Sequence, residues 1–551
     1  MFCFQCEETS SRSGCTVKGV CGKPEETASL QDLLLFSLRG LAWHLDQLAA
    51  RGTPDRSHDA FLREALFATI TNVNWLNDRF EALIEDALDR RDRLAAGMAP
   101  GMAPGMAPRV DAPEAATWRG PRAAFVAKGQ AVGILSTVDE DVRSLRELLV
   151  IGVKGIAAYA AHAAALGRED REVDTFIVEA LASTTRDLSR DAMVDLVMRA
   201  GAVAVSAMAA LDEAHTTAYG HPEMTRINIG VGANPGILVS GHDLKDLEDL
   251  LAQTAGTGID VYTHGEMLPA HAYPAFRRHP HLVGNYGGAW WQQTSEFESF
   301  NGPILLTTNC LVPPRRDNTY LSRLYTTGAV GYPGAVHVAD RPDDGTKDFS
   351  ALIAQARACA PPTAIETGTV TAGFGHAQVL ALADTVVDAV SSGAIRRFVV
   401  MAGCDGRRRD RAYYTEVARA LPENAVILTA GCAKYRYNKL DLGEIGGIPR
   451  VLDAGQCNDS YSLVKVALAL KEVMGAADIN DLPISYDIAW YEQKAVAVLL
   501  ALLSLGVKGI RLGPTLPGFL SPAVTTTLVE TFGLRPIASV EDDVPAMMAG
   551  R

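Results

Sequence analysis

The sequence predicts a multidomain α plus α/β fold, in which an N-terminal helical bundle precedes two Rossmann-like α/β domains with mainly parallel sheets. The length of 551 residues allows several domains, since a domain usually has roughly 100–200 residues. Up to about Asp212, apolar residues recur at three- and four-residue spacing, which indicates amphipathic helices. From about Thr225, short β-branched runs alternate with helical segments. We therefore expect helical bundles within residues 1–224 and α/β domains over residues 225–365 and 366–551.

The helical region begins with a run predicted from Ser29, an N-cap candidate with Asp32 three residues on, to Gly52. Further amphipathic runs are predicted at about residues 58–95, 139–166, 170–186 and 190–213. A Gly-Met-Ala-Pro motif repeats three times over residues 97–108, and a proline at every fourth position forbids a helix there. We interpret this insert as a loop between two helices.

The predicted strands share one feature, which is a side chain able to bind a metal shortly after each of six strand ends. The seven strand predictions are Gly236–Ser240, Ile259–Thr263, Pro303–Thr307, Arg397–Met401, Ala425–Thr429, Pro449–Asp453 and Gly506–Leu512. The side chains that follow the first six within two to four residues are His242, Glu266, Cys310, Cys404, Cys432 and Cys457. Parallel α/β sheets hold ligands outside the carboxyl ends of their strands, so the pattern predicts a metal site there.

The alternative is that each of these residues has an ordinary structural role and binds no metal. A single buried cysteine is more often a small apolar filler than a ligand, and a histidine or glutamate in a loop is usually solvated. Recurrence in the same structural position favours the metal site, as does the Ala-Gly pair near three of the cysteines, because glycine lets backbone approach a bulky group. Cys359 lies in a helical segment without that context and is interpreted as a filler.

Four further cysteines, Cys3, Cys6, Cys15 and Cys21, lie within the first 21 residues in the pattern C-x2-C-x8-C-x5-C. A disulfide pair, a zinc site and an iron–sulfur cluster are the competing interpretations. Thiols stay reduced in the cytosol, where we expect this protein, and this disfavours disulfides. Zinc sites usually have two short cysteine spacings, whereas this segment has one. Four thiolates suit an iron–sulfur cluster, which the pattern favours.

Composition and charge narrow the class of protein. Apolar residues make up 48% and charged residues 21%, which is typical of a globular chain. The net charge of −14 argues against nucleic acid as a partner. The longest apolar stretch, Ala495 to Val507, has 13 residues, too few to span a membrane, and the N-terminus lacks the features of a secretory signal. We expect a cytoplasmic protein without membrane association.

Several long strings resemble the hybrid cluster proteins, a family also called prismane proteins or hydroxylamine reductases. The resemblance covers essentially the whole chain apart from the Gly-Met-Ala-Pro insert. The strings are the first nine residues with Gly-Cys-Thr-Val-Lys-Gly-Val-Cys-Gly-Lys-Pro-Glu-Glu-Thr, then Tyr-Thr-His-Gly-Glu-Met-Leu-Pro-Ala (262–270), Asn-Tyr-Gly-Gly-Ala-Trp-Trp-Gln-Gln (285–293), Leu-Leu-Thr-Thr-Asn-Cys-Leu-Val-Pro (305–313) and Trp-Tyr-Glu-Gln-Lys-Ala (490–495).

The resemblance implies two metal centres. Cys3, Cys6, Cys15 and Cys21 would hold a 4Fe–4S cubane, because their short spacing resembles that class of the family. A hybrid 4Fe–2O–2S cluster, bridged by sulfide and oxygen, would be held by seven residues, with the position of Cys404 matching a cysteine that carries a persulfide. Those seven are His242, Glu266, Cys310, Cys404, Cys432, Cys457 and Glu492, of which Glu492 is implied by the resemblance alone.

The resemblance further implies reduction of hydroxylamine to ammonia and water by two electrons. Glu492 would act in the metal centre, and Lys494 and Tyr491 are candidate proton donors, although a surface ion pair and a packed ring are equally ordinary roles for them. The segment Gly-Val-Gly-Ala-Asn-Pro (230–235) departs from the dinucleotide-binding pattern. We therefore expect electrons from a separate reductase or ferredoxin, through the N-terminal cubane, and a monomer or small homo-oligomer.

Two other activities remain open on the sequence. The first is handling of nitric oxide in nitrosative stress, either by its reduction to nitrous oxide or by nitrosylation of partner thiols at the same clusters. The second is an activity like that of the distantly related carbon monoxide dehydrogenases, for which bound nickel would be diagnostic.

Overall fold

A computed structural model describes residues 1–97, 112–342 and 345–551. The Gly-Met-Ala-Pro insert, predicted as a loop over residues 97–108, lies outside these residues apart from Gly97. The described chain combines helices with parallel sheets, as the sequence predicts. The domain limits at 224 and 365 stay predictions.

The first third of the chain is helical. Its helices are α1 (Glu25–Ala50), α2 (Asp59–Ala68), α3 (Asn77–Gly97), α4 (Glu114–Thr117), α5 (Phe125–Val132), α6 (Glu140–Ala165), α7 (Arg171–Ser183) and α8 (Arg190–Tyr219).

Two details of the helical prediction are wrong. The first helix begins at Glu25 after Pro24, and the Ser29 hydroxyl donates to the Glu25 carbonyl inside the helix, so Ser29 is not the N-cap. A proline just before a helix suits its missing N–H, and this outcompetes the Ser29 signal. The run at 58–95 is two helices, α2 and α3, with the Asn72–Trp75 segment between them.

The middle of the chain contains one six-stranded parallel sheet, several helices and a separate pair of strands. Its elements are β1 (Thr225–Asn228), β2 (Gly236–Ser240), α9 (Leu244–Thr254), β3 (Asp260–His264), β4 (Leu282–Asn285), α10 (Gln293–Phe300), β5 (Ile304–Leu306), β6 (Leu324–Thr327), β7 (Val336–Val338), α11 (Ser350–Ala356) and β8 (Thr369–Ala372). The strand order is β4-β3-β2-β5-β6-β7, while β1 and β8 form a separate antiparallel pair.

The last third forms a second six-stranded parallel sheet. Its elements are α12 (His376–Leu380), α13 (Ala383–Ser391), β9 (Arg397–Val400), α14 (Ala412–Ala420), β10 (Ala425–Thr429), β11 (Glu444–Ile445), β12 (Ile448–Pro449), β13 (Val451–Asp453), α15 (Tyr461–Val473), β14 (Ile484–Ala489), α16 (Gln493–Ser504), β15 (Arg511–Gly513), α17 (Pro522–Phe532), β16 (Arg535–Pro536) and α18 (Val540–Met548). The strand order is β13-β10-β9-β14-β15-β16, and β11 and β12 form a short hairpin.

The strand predictions differ in accuracy. Gly236–Ser240 and Ala425–Thr429 match their strands, whereas the run at Gly506–Leu512 becomes a strand only from Arg511. The sequence reasoning missed β14, which lies centrally in its sheet with all six residues buried. Buried Ser485 and Asp487 interrupt its apolar pattern, and this hid the strand.

Two helices, α6 and α8, are long and apolar enough to cross a membrane by length and composition. The apolar stretch of α6 is mostly buried inside the fold, and that of α8 is half buried. Both pack against α16, where glycines allow backbone contact. A Cβ on Gly155 would lie 2.5 Å from the Gln493 carbonyl oxygen, and one on Gly201 would lie 2.2 Å from that of Leu500.

Replacing Gly201 with alanine tests this close packing. Because the new methyl would meet backbone of α16, we expect Gly201→Ala to lower the free energy of unfolding by about 1–3 kcal/mol. Ala202→Ser, at the exposed neighbouring position, is the matched control and should be nearly neutral. Thermal denaturation followed by circular dichroism checks both, and equal melting temperatures for Gly201→Ala and the parent would contradict the packing.

Candidate metal centres

All seven predicted ligands of the larger centre follow strands of the two parallel sheets. His242 and Glu266 come two residues after β2 and β3, and Cys310 comes four residues after β5. In the second sheet, the four others follow β9, β10, β13 and β14 by three or four residues: Cys404, Cys432, Cys457 and Glu492. The carboxyl ends of both sheets therefore carry the candidate ligands.

The structure brings all seven side chains to one cavity. It has a volume of about 400 Å³, and Trp290, Asn309 and Tyr491 line it together with the seven residues. His242, Glu266 and Cys457 are the tightest group, since their ligand atoms lie within 4.8 Å of one another. That these residues bind a metal stays a prediction.

Three groups surround the Nε2 atom of His242. The Nζ atom of Lys494 donates to it at 3.0 Å, the Sγ atom of Cys457 lies at 3.2 Å and the Oε2 atom of Glu266 at 3.6 Å. Burial and the charge of Lys494 lower the pKa of His242 to about 4, so its imidazole is neutral. A neutral imidazole with an accessible nitrogen is the form that binds metals.

Thr308 determines which ring nitrogen of His242 carries no proton. Its hydroxyl oxygen accepts from the His242 backbone N–H at 2.8 Å and lies 2.8 Å from Nδ1. Nδ1 then carries the proton, and Nε2 faces the cavity as an acceptor. Sequence reasoning missed Thr308, although it precedes Asn309 and Cys310 in the Thr-Thr-Asn-Cys string.

Glu492 and Lys494 owe their positions to the start of α16. Glu492 is the N-cap residue, and its Oε2 accepts from the Lys494 backbone N–H at 2.8 Å, while Oε1 accepts from Asn309 Nδ2 at 3.5 Å. Lys494 is fully buried. Although burial opposes its charge, Cys457, Glu492 and Glu266 raise the pKa of Lys494, so the ammonium persists.

The donor set of this cavity fits a metal cluster. Burial raises the pKa of Cys404 to about 12 and those of Cys310, Cys432 and Cys457 well above the usual value. Thiols with such raised pKa values would stay protonated and inert unless a metal cation were bound. The Oε1 atom of buried Glu266 has no hydrogen-bond partner among the described residues, which leaves it free to bind a metal.

Glycine permits the turns that carry two of the cysteines. Gly403 and Gly431 precede Cys404 and Cys432 with φ values of +109° and +89°, which favour glycine. A Cβ on Gly431 would lie 2.4 Å from the Gly403 carbonyl oxygen, so the two turns touch through their backbones.

The four N-terminal cysteines meet at a second cavity of about 390 Å³. Cys3 and Cys15 face each other in a two-way backbone bridge, with N···O distances of 3.0 and 2.8 Å. Burial raises the pKa of Cys3 to about 12 and that of Cys6 well above the usual value. Four thiols around one cavity again fit a metal cluster. Cys6 and Cys15 are buried, whereas Cys3 and Cys21 are half buried.

Tyr491 lies between the two candidate centres. Its ring centroid is 4.6 Å from that of Trp290, and both rings line the larger cavity. Its hydroxyl accepts from Asn72 Nδ2 at 3.2 Å and donates to Glu8 Oε2 at 3.5 Å, while its carbonyl accepts from the Glu7 N–H at 3.0 Å. The hydroxyl therefore faces the N-terminal segment.

An apolar cavity of about 850 Å³ borders the larger centre, with which it shares Cys404 and Cys457. Tyr159 and aliphatic side chains such as Ile479 and Leu505 also line it. Cys359 lies apart from both centres, with its thiol donating to the Gln355 carbonyl.

Comparison with known proteins yields full-length matches. Residues 1–545 match the model of the Prismane/CO dehydrogenase family. The chain is 69% identical over 553 residues to a hydroxylamine reductase of Nitratidesulfovibrio vulgaris and 65% identical over 554 residues to one of Desulfosudis oleivorans, covering 100% of each chain in both cases. A nickel-free crystal structure of carbon monoxide dehydrogenase from Thermococcus sp. AM4 is similar in fold, with a TM-score of 0.56, 16% identity and coverage of 99% of this chain and 90% of that one.

Replacing Thr308 tests whether its hydroxyl prepares His242 for a metal. We expect Thr308→Val to weaken metal binding about 10- to 100-fold, because the imidazole loses the partner that sets its orientation and tautomer. Metal content after dialysis against a chelator is the measurement. Thr254→Val, at a buried threonine bonded within α9, is the matched control. Equal metal retention by both variants would contradict the assignment.

Proposed function

The chain belongs to the Prismane/CO dehydrogenase family, and from that membership we propose that it is a hydroxylamine reductase. The reaction would convert hydroxylamine, two electrons and two protons into ammonia and water. The observation that carries the proposal is the single buried cavity in which four thiols, two carboxylates and one imidazole meet, in a chain 69% identical to a protein of that name.

The cofactors proposed are a hybrid 4Fe–2O–2S cluster in this cavity and a 4Fe–4S cluster at the N-terminal cysteines. Thiolates favour iron–sulfur bonding, whereas Glu266, Glu492 and His242 suit iron that is bridged by oxygen. Cys404 is the proposed persulfide, because its position matches that of the persulfide cysteine in the family that the sequence resembles. When bound, the hybrid cluster would supply electrons and open iron positions to the substrate.

Lys494 is the proton donor that the contacts favour. Its ammonium lies 3.0 Å from His242 Nε2, so it faces the candidate ligand atoms inside the cavity. Bulk water does not reach this ammonium, because Lys494 is fully buried and Glu492 and His242 are almost fully buried. A buried ammonium beside the N–O bond of hydroxylamine would protonate the leaving oxygen as the bond breaks. Tyr491, the other candidate, directs its hydroxyl to Glu8 and Asn72.

Electrons would pass from the N-terminal cluster to the larger centre through the segment that joins them. Arg411 is fully buried and donates to Glu7 Oε2 at 2.9 Å, to the Trp490 carbonyl at 2.7 Å and to the Cys404 carbonyl at 3.1 Å. Arg411 thereby holds Glu7, the residue after Cys6, close to Cys404, which is proposed to bind the hybrid cluster. Tyr491 lines the larger cavity, and its carbonyl accepts from the Glu7 N–H next to Cys6.

One observation favours nitric oxide as a second substrate. The cavity that ends at Cys404 and Cys457 is lined by aliphatic side chains, which suit a small apolar gas better than hydroxylamine. Reduction of two nitric oxide molecules to nitrous oxide and water also takes two electrons and two protons. Assaying both substrates with one preparation separates the two activities, and bound nickel would instead indicate an activity like that of carbon monoxide dehydrogenase.

Removing one predicted ligand tests the function and the metal content together. In anaerobically purified Cys457→Ala protein we expect iron to fall from about eight to about four per chain, without nickel in either protein, and hydroxylamine reduction to be lost. Cys359→Ala is the matched control, since Cys359 lies outside both centres, and it should keep full iron and activity. A Cys457→Ala protein with parental iron and turnover would refute the proposed site.

Lys494 is tested by removing its charge while keeping its aliphatic length. We expect Lys494→Met to lower kcat for hydroxylamine roughly a hundredfold or more, because the positioned acid is lost. Lys465→Met, at an exposed lysine of α15, serves as the control. Turnover with reduced methyl viologen and iron content are measured together. Unchanged kcat at full iron content would remove Lys494 from the mechanism.

A further inference from the structure

The N-terminal cysteine cavity opens to a surface with two exposed valines. Val17 is 81% exposed and Val20 is 44% exposed, and both lie in the loop between Cys15 and Cys21. Cys21 itself is half buried, so the proposed 4Fe–4S cluster would come close to solvent at this loop. An apolar centre with a polar rim is the usual composition of a protein-binding patch.

Two other segments border this loop. A salt bridge of 3.7 Å joins Arg12 to Asp410, and a Cβ on Gly22 would lie 3.0 Å from the Cγ atom of Pro313. Arg407 also donates to Glu8 at 2.9 Å, which fixes its segment beside the cysteines. Residues 12–22, 313–318 and 405–410 therefore form one surface, which we call the basic rim.

The basic rim has a charge opposite to that of the whole chain. The chain carries a net charge of −14, yet the charged side chains of the rim that are exposed or half buried are mostly positive. The positive ones are Arg12, Lys18, Arg315, Arg316, Arg407, Arg408 and Arg409, and the negative ones are Asp317 and Asp410.

Four cationic side chains of the basic rim are available to bind a partner protein. Lys18, Arg315, Arg316 and Arg409 are exposed, and within the described ranges none of them has a carboxylate within 4.0 Å. Unpaired cations around an apolar centre attract an acidic protein and steer its approach.

We propose that the basic rim is the docking surface for an acidic one-electron donor protein of the ferredoxin type, an inference that rests on the proposed function. At this surface one electron leaves the reduced cluster of the donor, which is oxidised, and enters the N-terminal cluster of this chain, which is reduced. Two such encounters supply the two electrons for each hydroxylamine. No proton or chemical group is transferred at the rim.

The test reverses charge at three of the unpaired arginines in the holoenzyme. The variant is Arg315→Glu with Arg316→Glu and Arg409→Glu, and the probe is a purified acidic bacterial ferredoxin with two 4Fe–4S clusters. The control is Arg278→Glu with Arg396→Glu. These exposed arginines precede β4 and β9, at the sheet edges opposite the candidate centres.

Binding of the oxidised ferredoxin is measured by titration calorimetry at low and at physiological salt. We expect the rim variant to raise the Kd about tenfold or more and to weaken its salt dependence, while the control binds as the parent does. Turnover driven by reduced ferredoxin should lose kcat/KM by a similar factor, and turnover driven by reduced methyl viologen should not change.

Three results would overturn the proposal. They are a parent protein that does not bind the acidic ferredoxin, a rim variant that binds as well as the parent, and a control that weakens binding equally. A parent protein that does not reduce hydroxylamine with reduced methyl viologen would refute the proposed function instead. Calorimetry would still decide whether the rim is the docking surface.

Discussion

The burial of four thiols, two carboxylates and an imidazole around one cavity, with an ammonium bonded to the imidazole, is the constraint on which this structure depends. Each of these groups loses hydration there, and the pKa of every cysteine in the set rises accordingly. Lys494 is the cationic side chain that contacts these residues most directly, through its hydrogen bond to His242. The charge of one ammonium does not balance four thiolates and two carboxylates. Bound metal cations would complete the charge balance, which is why the donor set is best explained as a cluster site.

The scaffold holds this arrangement by joining the carboxyl ends of two parallel sheets. Turns at Gly403 and Gly431 touch through backbone, while α16 starts at Glu492 and is held by close contact of Gly155 and Gly201. Arg411 and Tyr491 then connect the larger centre to the N-terminal cysteines. Candidate ligands from three distant parts of the sequence are thus fixed by packing that lies mostly outside the site.

Much of this was predictable from the sequence, for identifiable reasons. Strands such as Gly236–Ser240 have continuous apolar runs, so the residues that follow them could be placed at a sheet edge without a structure. Glu492 could not be found in this way, because β14 contains buried Ser485 and Asp487 and does not have such a run. Thr308 and the connection through Arg411 depend on tertiary contacts, which neither spacing nor periodicity records. The basic rim is assembled from three segments that are far apart in the chain, and the net charge of −14 conceals it.

The proposed function requires that two separate groups of side chains hold two separate iron centres. Anaerobic crystals of the holoenzyme, measured at wavelengths on both sides of the iron absorption edge, test it most directly. We expect two anomalous iron peaks, one enclosed by Cys3, Cys6, Cys15 and Cys21 and one enclosed by the seven residues of the larger cavity. A single peak, or a second peak with nickel or zinc in place of iron, would contradict it.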